Sequence, residues 1–302
     1  MAHTRVIVNP IAGAGKTAKK WSQIVDLLRS LGMDFEYDLT EAPGHAIELA
    51  KSAAKDGCEL IVCVGGDGTI NEIVNGLYDA GSIGDVTLGI VSTGTGDDYI
   101  RTIGLSRSCM EASRCLTSQG RLTVDLGLVE YRSNGQMQKR IFVNFAGLGF
   151  DAEIVRATTQ EFKALGDTAS YLMGLVTTLV VYKNKEISLI MDGEVGERRI
   201  CTVLMSNGKY GGGGMLTAPD ADLGDGFFDV VMIGDLTKPD LLRSLPRIYK
   251  GTHLTHPKVT VKRAREVEIR PVQPMAVQAD GELLGEAPAR FSVLPGALTI
   301  VV

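Results

Sequence analysis

Apolar and polar positions follow one rhythm up to about Gly127 and another beyond it. In the first stretch, short β-branched runs alternate with segments of helical spacing. Arg5-Val6-Ile7-Val8-Asn9-Pro10 reads as a strand closed by Pro10, and Trp21, Ile24, Val25, Leu27, Leu28 and Leu31 predict a helix stopped at Gly32. Phe35–Thr40 alternates as a strand, and His45–Lys55 carries Ala46, Leu49, Ala50 and Ala53 at helical spacing. The apolar run Leu60–Val64 is a buried strand that stops at Gly65-Gly66-Asp67-Gly68-Thr69-Ile70-Asn71-Glu72. A helix follows, marked by Ile73, Val74, Leu77 and Tyr78. Val86–Ser92 is a further strand, ending in Thr93-Gly94-Thr95-Gly96-Asp97-Asp98. Helices over Tyr99–Ile103 and Met110–Leu116 and a strand over Leu122–Gly127 complete the stretch. This alternation predicts a parallel α/β sheet with right-handed crossovers.

From about Val129 strand-like runs dominate. They cover Arg140–Ala146, Glu186–Met191, Ile200–Ser206, Phe228–Ile233, Val259–Val261, Val267–Arg270, Met275–Gln278, Phe291–Leu294 and Leu298–Val302. Two helices interrupt them, an apolar one over Ala169–Tyr182 and a shorter one over Leu241–Tyr249. Turn signals stand at Asp192-Gly193, Ser206-Asn207-Gly208, Asp225-Gly226 and Asp280-Gly281. The second domain is therefore expected to be antiparallel and β-rich, and the cleft between the domains is the natural ligand site. There is no internal repeat and no low-complexity linker.

Bulk properties narrow the classes of function. The 302 residues are 44% hydrophobic and 22% charged with a net charge of −5, values of a globular chain and not of a basic nucleic-acid binder. The N-terminus runs straight into a strand without a signal-like apolar stretch, and Tyr171–Tyr182 is too short to span a bilayer. Five cysteines without a CxxC pair fit reduced thiols in a cytoplasm. His253 and His256 stand without a neighbouring cysteine or carboxylate cluster, so zinc is not expected there.

The chemistry concentrates at the glycine-rich turns. Glycines at a strand end let backbone N–H groups approach an anion at a helix N-terminus. Asp67 inside such a loop repels a phosphate unless a cation lies between them, so the loop points to a nucleotide phosphate plus a metal. Ile11-Ala12-Gly13-Ala14-Gly15-Lys16-Thr17 misses the Walker A pattern because Pro10 replaces its first glycine, and it reads as a small-residue turn facing phosphate. Gly147-Leu148-Gly149-Phe150-Asp151-Ala152 fits GxGxxA but lies in the antiparallel region and reads as a structural turn. Asp222-Leu223-Gly224-Asp225-Gly226-Phe227 is either an oxygen-rich cation site or an acidic turn. Asp280-Gly281-Glu282 by itself is an ordinary hairpin turn.

In their order and spacing these motifs resemble the diacylglycerol kinase-like catalytic domain of bacterial lipid kinases, which also includes sphingosine and ceramide kinases. The resemblance rests on Asn9-Pro10 with Gly13, Thr40, Gly65–Glu72, Thr93–Asp98, Val124-Asp125, Gly149-Phe150-Asp151-Ala152, Gly211–Met215, Ala218–Ala221 with Asp225-Gly226, and Asp280-Gly281-Glu282. The Gly-Gly-Asp-Gly-Thr element alone is shared with NAD kinases and phosphofructokinases. The resemblance implies a Rossmann-like or phosphofructokinase-like nucleotide domain over residues 1–127 and an antiparallel β-sandwich-like lipid domain over 128–290. It also implies that the last strands, about 291–302, return to the first domain. ATP would lie along Asn9, Pro10, Gly13, Lys16, Thr40, Gly66, Asp67, Gly68, Thr69, Asn71, Glu72 and Thr95. Asp225 would hold magnesium, helped by carbonyls at Asp222 and Phe227. Asp67, Asp98, Asp125 and Glu282 would form a carboxylate network holding water and the catalytic magnesium, and Asp280 would be the general base on a lipid hydroxyl.

The implied activity is ATP- and magnesium-dependent phosphorylation of a membrane lipid by a cytoplasmic protein in peripheral membrane contact, with no nucleic acid as partner. The helix Ala169–Tyr182 reads as core, with an acyl pocket or bilayer contact as the alternative, and Lys258, Lys262, Arg263 and Arg265 form a local basic cluster. Monomer and homodimer both stay open. One departure stands out: the family usually has Asn-Asp after the second glycine loop, and this chain has Asp97-Asp98. A carboxylate there weakens ATP binding, or shifts the metal or donor, unless a cation neutralises it. Two other readings are an NAD kinase-type enzyme and a non-catalytic lipid- or nucleotide-binding protein, the latter resting on Asp97.

Overall fold

The computed structural model describes residues 3–160 and 167–302, the side chains of 159, 160 and 167–172 excepted. The first half is a wound α/β layer. Its elements are β1 (Thr4–Val8), α1 (Ala12–Ser30), β2 (Glu36–Leu39), α2 (His45–Lys55), β3 (Leu60–Gly65), α3 (Asp67–Ala80), β4 (Thr87–Ser92), α4 (Asp98–Ile103) and α5 (Cys109–Cys115). Strands β4, β3, β1 and β2 pair in that order and in parallel. Strand β3 shows why both faces must be covered. Ile61 and Cys63 pack with Ala50, Ile73 and Leu77 of α2 and α3, whereas Val62 and Val64 pack with Ile24, Leu28 and Ala112 of α1 and α5. Strand order reverses between β1 and β3, and open α/β sheets bind ligands at the carboxyl ends of strands at such a point.

The second half is antiparallel. It comprises β5 (Arg121–Ser133), β6 (Gln136–Phe142), β7 (Phe145–Gly149), α6 (Phe150–Gln160), α7 (Asp167–Val181), β8 (Lys185–Met191), β9 (Glu194–Ser206), the short ribbon β10 (Tyr210–Gly211) and β11 (Met215–Leu216), β12 (Phe228–Gly234), α8 (Lys238–Ile248), a 3-10 turn (Thr252–Thr255), β13 (Val259–Ala264), β14 (Glu266–Pro271), β15 (Ala276–Ala279) and β16 (Glu282–Val301). Its core gathers Phe142, Phe228 and Phe291 with Leu148, Val203 and Val267. The two halves share one 14-stranded sheet. The seam is β16, which pairs with β15 and β14, runs along β5, and lies parallel to β4 at Thr299 and Ile300.

Several expectations need correction. The strand expected over Arg140–Ala146 is two strands, β6 and β7, broken at Val143-Asn144 because those backbone N–H groups turn to a carboxylate and not to a neighbouring strand. The separate strands over Phe291–Leu294 and Leu298–Val302 are one 20-residue strand whose register shifts between Leu294 and Leu298. Gly147-Leu148-Gly149 is not a turn: it closes β7, and Phe150 opens α6, whose Phe150, Ile154 and Ala157 are buried at helical spacing. Gly127, where the sequence pattern changes, is continuous with the strand around it. It lies inside β5, where the ring of Phe142 covers the space a Cβ would need. The hairpin joining β5 to β6 is Asn134-Gly135, both at positive φ, the residues a two-residue turn favours. Strand β9 begins at Glu194, six residues before the expected Ile200, through a polar, exposed segment without alternation.

Candidate active site

Three turns meet at the carboxyl end of the parallel sheet. Gly13, Ala14 and Gly15 all have positive φ, so the chain makes a left-handed turn before α1 settles into its helix. A Cβ on Gly13 would strike the carbonyl of Thr93, and Thr17 Oγ1 lies 2.5 Å from Thr93 Oγ1. Gly66 and Gly94 face each other with no space for a Cβ on Gly94. Small residues here are therefore required for the backbones to touch. Asn9 Nδ2 donates to Thr69 Oγ1 at 3.0 Å, tying the end of β1 to the first turn of α3.

Helix α3 begins at this junction with Gly66 as its N-cap, and no side chain caps it. The acidic residue in its first turn turns away. Asp67 accepts the N–H of Asp98 at 3.1 Å and of Tyr99 at 3.2 Å, so it caps α4. Glu72 likewise turns to a neighbouring helix, accepting the N–H groups of Gly44 and Ala46 at 2.9 and 3.1 Å and capping α2. The first N–H groups of α3 thus stay without a side-chain cap, with the positive end of the helix dipole behind them, a fit for a phosphate. Lys16, Gly68 and Thr95 are exposed around this point, and Pro10 and Thr40 are half-buried at its rim.

The remaining carboxylates converge from both halves of the chain. Asp98 accepts the N–H of Gly213 at 2.7 Å and of Gly214 at 2.6 Å, from the ribbon between β10 and β11. Asp125 accepts Gly226 N–H at 2.6 Å and Gly296 N–H at 2.7 Å, binding the Asp225 loop to β16. Asp280, at φ 46 in the turn between β15 and β16, accepts four donors. These are the N–H groups of Val143 at 2.7 Å, Asn144 at 3.0 Å and Phe145 at 3.1 Å, and Asn71 Nδ2 at 2.8 Å. Asn71 therefore ties the second turn of α3 to Asp280. Its Oδ1 accepts from Arg140, which also binds Glu282 Oε2 at 2.8 Å.

Burial is the dominant electrostatic fact. It pushes Asp67 up to about 6 against the pull of the Asp98 and Tyr99 amides, with the charges of Asp98 and Asp280 adding to the rise. Burial likewise raises Asp98, Asp280 and Glu282, each partly offset by its donors. Tyr99 Oη, Asn144 Oδ1 and Asn207 Oδ1 are buried nearby without a partner among the described residues. Unpaired polar atoms beside carboxylates suit water or a hydrated hard cation.

Asp225 is placed differently from Asp67, Asp98 and Asp280. Its Oδ1 accepts Phe227 N–H at 3.0 Å, and its Oδ2 is paired with Arg263. The guanidinium groups of Arg263 and Arg265 lie over the Phe227 ring at 4.5 and 4.7 Å. Asp222 is exposed and accepts Gly224 N–H at 3.0 Å. One carboxylate with nearby carbonyls fits the all-oxygen shell of magnesium, provided Arg263 yields its place. Among the described residues no group of three or more His, Cys, Asp and Glu has metal-binding geometry.

The departure at Asp97 is resolved by a residue that sequence reading passed over. Asp97 is buried at φ 58, where it accepts from Ser92 Oγ at 2.5 Å and pairs with Arg107 Nε at 2.8 Å. An arginine ten positions away supplies the neutralising charge. Sequence reading also missed Arg140, Asn75, Asn207 and Gln278. Gln278 carries a buried chain in which Asp151 accepts Thr202 Oγ1 at 2.5 Å and Gln278 Nε2 at 2.9 Å, while Gln278 Oε1 accepts Gly281 N–H at 3.0 Å. Asp151, unused by any assigned chemistry, thus braces the turn that carries Asp280.

Known proteins are similar to this chain over nearly its whole length. Residues 3–129 match the diacylglycerol kinase catalytic domain, and residues 144–302 match the YegS C-terminal NAD kinase beta sandwich-like domain. The diacylglycerol kinase of Bacillus subtilis is 30% identical over 293 residues, covering 96% of this chain and 93% of its own. That of Mycobacterium tuberculosis is 28% identical over 300 residues, covering 98% and 93%. The crystal structure of a candidate diacylglycerol kinase from Bacillus anthracis superposes with a TM-score of 0.80 at 26% identity, covering 99% of this chain and 97% of that one.

Proposed function

The chain belongs to the diacylglycerol kinase catalytic domain family, and on that premise we propose that it is an ATP- and magnesium-dependent kinase of a lipid hydroxyl, diacylglycerol or a relative of it. The observation that carries this reading is the uncapped N-terminus of α3 facing carboxylates contributed by both halves of the chain. Phosphoryl transfer needs positioned donors and neutralised charge more than covalent help. The glycine turns and α3 hold the ATP phosphates, with Lys16 near them. Magnesium, when bound, would offset the charge of the phosphates, and Asp67, Asp98 and the Asp225 loop are the residues to hold it and its waters. Asp125 fixes that loop against β16.

The acceptor hydroxyl must give up its proton as its oxygen bonds to the γ-phosphorus and ADP leaves. The turn Asp280-Gly281-Glu282 provides the proton acceptor. Asp280 is the base implied by family resemblance, yet its acceptor positions are occupied, and only Asn71 Nδ2 is a side-chain donor able to move aside. Glu282 is held by Arg140 through Oε2, which leaves Oε1 open. Phosphorylation of a total lipid extract with ATP and magnesium, read by mass spectrometry, tests the reading. A phosphorylated lipid is the expected product. Transfer to NAD with none to lipid would replace the reading with a soluble-kinase one, and ATP binding without transfer would leave a binding protein. Asp280→Asn and Glu282→Gln separate the two bases: the variant of the true base loses about 10²–10⁴-fold in kcat with ATP affinity kept.

A further inference from the structure

Helix α7 carries a feature the active site does not use. Met173, Val176, Val180 and Val181 are 42, 50, 64 and 73% exposed. Their spacing places them on one face of the helix. Thr177 lies within that face, and its hydroxyl bonds back to the carbonyls of Met173 and Gly174 at 2.7 and 3.1 Å, so its polar group is already satisfied. The opposite face is anchored, since Leu175, Leu179 and Tyr182 pack against Phe150 of α6 and Leu241 of α8.

The end of this apolar face is cationic. A pocket of about 240 Å³ opens between the C-terminal turn of α7 and the start of α8, with Leu179, Leu236 and Leu241 among its apolar lining and Lys183 and Lys238 among its polar lining. Lys238 Nζ donates to the Val180 carbonyl, which joins the pocket to the apolar face. The nearby acids are spent elsewhere. Asp235 accepts from Asn184 at 2.6 Å and from Arg199 at 3.2 Å, and Asp240 accepts from Thr237 at 2.6 Å and pairs with Arg243. Lys183 and Lys238 have no carboxylate partner among the described residues.

We propose that the outer face of α7 and the pocket beside it form a docking surface for an anionic lipid bilayer. The valines enter the acyl boundary while Lys183 and Lys238 take lipid phosphate groups. An amphipathic helix lying in the interface, with lysines at the headgroup level, combines buried apolar area with attraction to anionic lipid. The choice of a bilayer as occupant rests on the lipid-kinase reading; the location of the surface does not.

Flotation of the full chain with vesicles of phosphatidylglycerol and phosphatidylcholine, against vesicles of phosphatidylcholine alone, tests this. Binding to the anionic vesicles is expected, weakening as salt is raised. Lys183→Gln/Lys238→Gln should lower it about 30-fold, from the loss of roughly two basic residues near the surface. Val176→Glu/Val180→Glu should lower it about 10-fold or more by charging the inserted face. Both variants should phosphorylate a short-chain diacylglycerol in solution as well as the parent does, which also shows that they fold. Vesicle binding equal in parent and variants, or absent in the parent, overturns the surface. So does a parent dimer that the valine variant dissolves while vesicle binding stays. Failure of every form to phosphorylate any soluble acceptor counts instead against the kinase reading.

Discussion

Asp97 and Arg107 show how one residue changes the meaning of another. A buried carboxylate beside the glycine-rich turns is unfavourable on its own, and Arg107, itself largely exposed, reaches in to pair with it. Arg107→Ala is expected to cost about 1–3 kcal/mol and to raise the KM for ATP, because it leaves a buried charge with only Ser92 as partner. Adding Asp97→Asn should restore most of both, and a double-mutant cycle in urea with matched ATP titrations checks the coupling. His253 is the other informative residue. It is buried, Nε2 lies 3.2 Å from the Thr217 carbonyl, and burial holds its pKa below the ordinary 6.5. His256 instead accepts Lys258 N–H at 3.1 Å, so the two histidines serve separate contacts. The sign follows from linkage: above 6.5 the ring is neutral in both states and the full contribution is present, and below it the unfolded chain takes up the proton more readily. Stability is expected to fall as pH drops from about 6.5, and His253→Gln should flatten that part of the melting-temperature profile.

At the level of elements, helix caps are exchanged. Asp67 begins α3 yet caps α4, and Glu72 in the next turn of α3 caps α2. A single helix therefore fixes the starts of its two neighbours and leaves its own start open. Glu72→Ala is expected to cost about 1–2 kcal/mol. Its signature is faster amide exchange in the first turn of α2, without a matching change at α4. The turn bearing Asp280 follows the same logic. Its carboxylate holds the gap between β6 and β7, and Asp151 with Gln278 holds the turn from behind. Asp151→Asn is expected to lower kcat while leaving the KM for ATP near the parent value, because Gln278 then loses a carboxylate partner and the turn loosens away from the nucleotide. Steady-state kinetics at saturating lipid reads the split.

For the whole molecule, β16 joins the two halves into one sheet, so both are expected to melt in a single calorimetric transition. Asp125 is one side-chain link at the seam, buried to 1% exposure between Gly226 and Gly296. Asp125→Ala strands two buried N–H groups. It should lower the melting temperature by about 5 °C or more, with the transition broadening or splitting as the Asp225 loop detaches from β16. Asp125→Asn, which keeps one acceptor, should lie between. Among the described residues no helix is long and apolar enough to cross a membrane.

The elements legible from sequence were those whose own period decides them. The runs at Val6–Val8, Leu60–Val64 and Val86–Ser92 could only be buried strands, and their glycine-rich ends could only be close backbone approaches. The order of the glycine and aspartate motifs was enough to indicate the family. What escaped was set by distant partners. Arg140–Ala146 has the pattern of one strand, and it breaks only because Asp280, more than 130 positions later, claims the N–H groups at the break. The long strand β16 looks like separate strands because Pro295-Gly296 interrupts its apolar run, and only pairing with β5 carries the strand across that register shift. Glu72 and Asn71 sit in a phosphate-binding motif, and only packing shows that one caps a neighbouring helix and the other serves Asp280. Sequence alone determined the local geometry of the turns, since glycine and hydrophobic period act within a few residues. The roles of the carboxylates were decided by the tertiary structure, because a carboxylate's chemistry depends on which donors, charges and how much water the fold leaves around it.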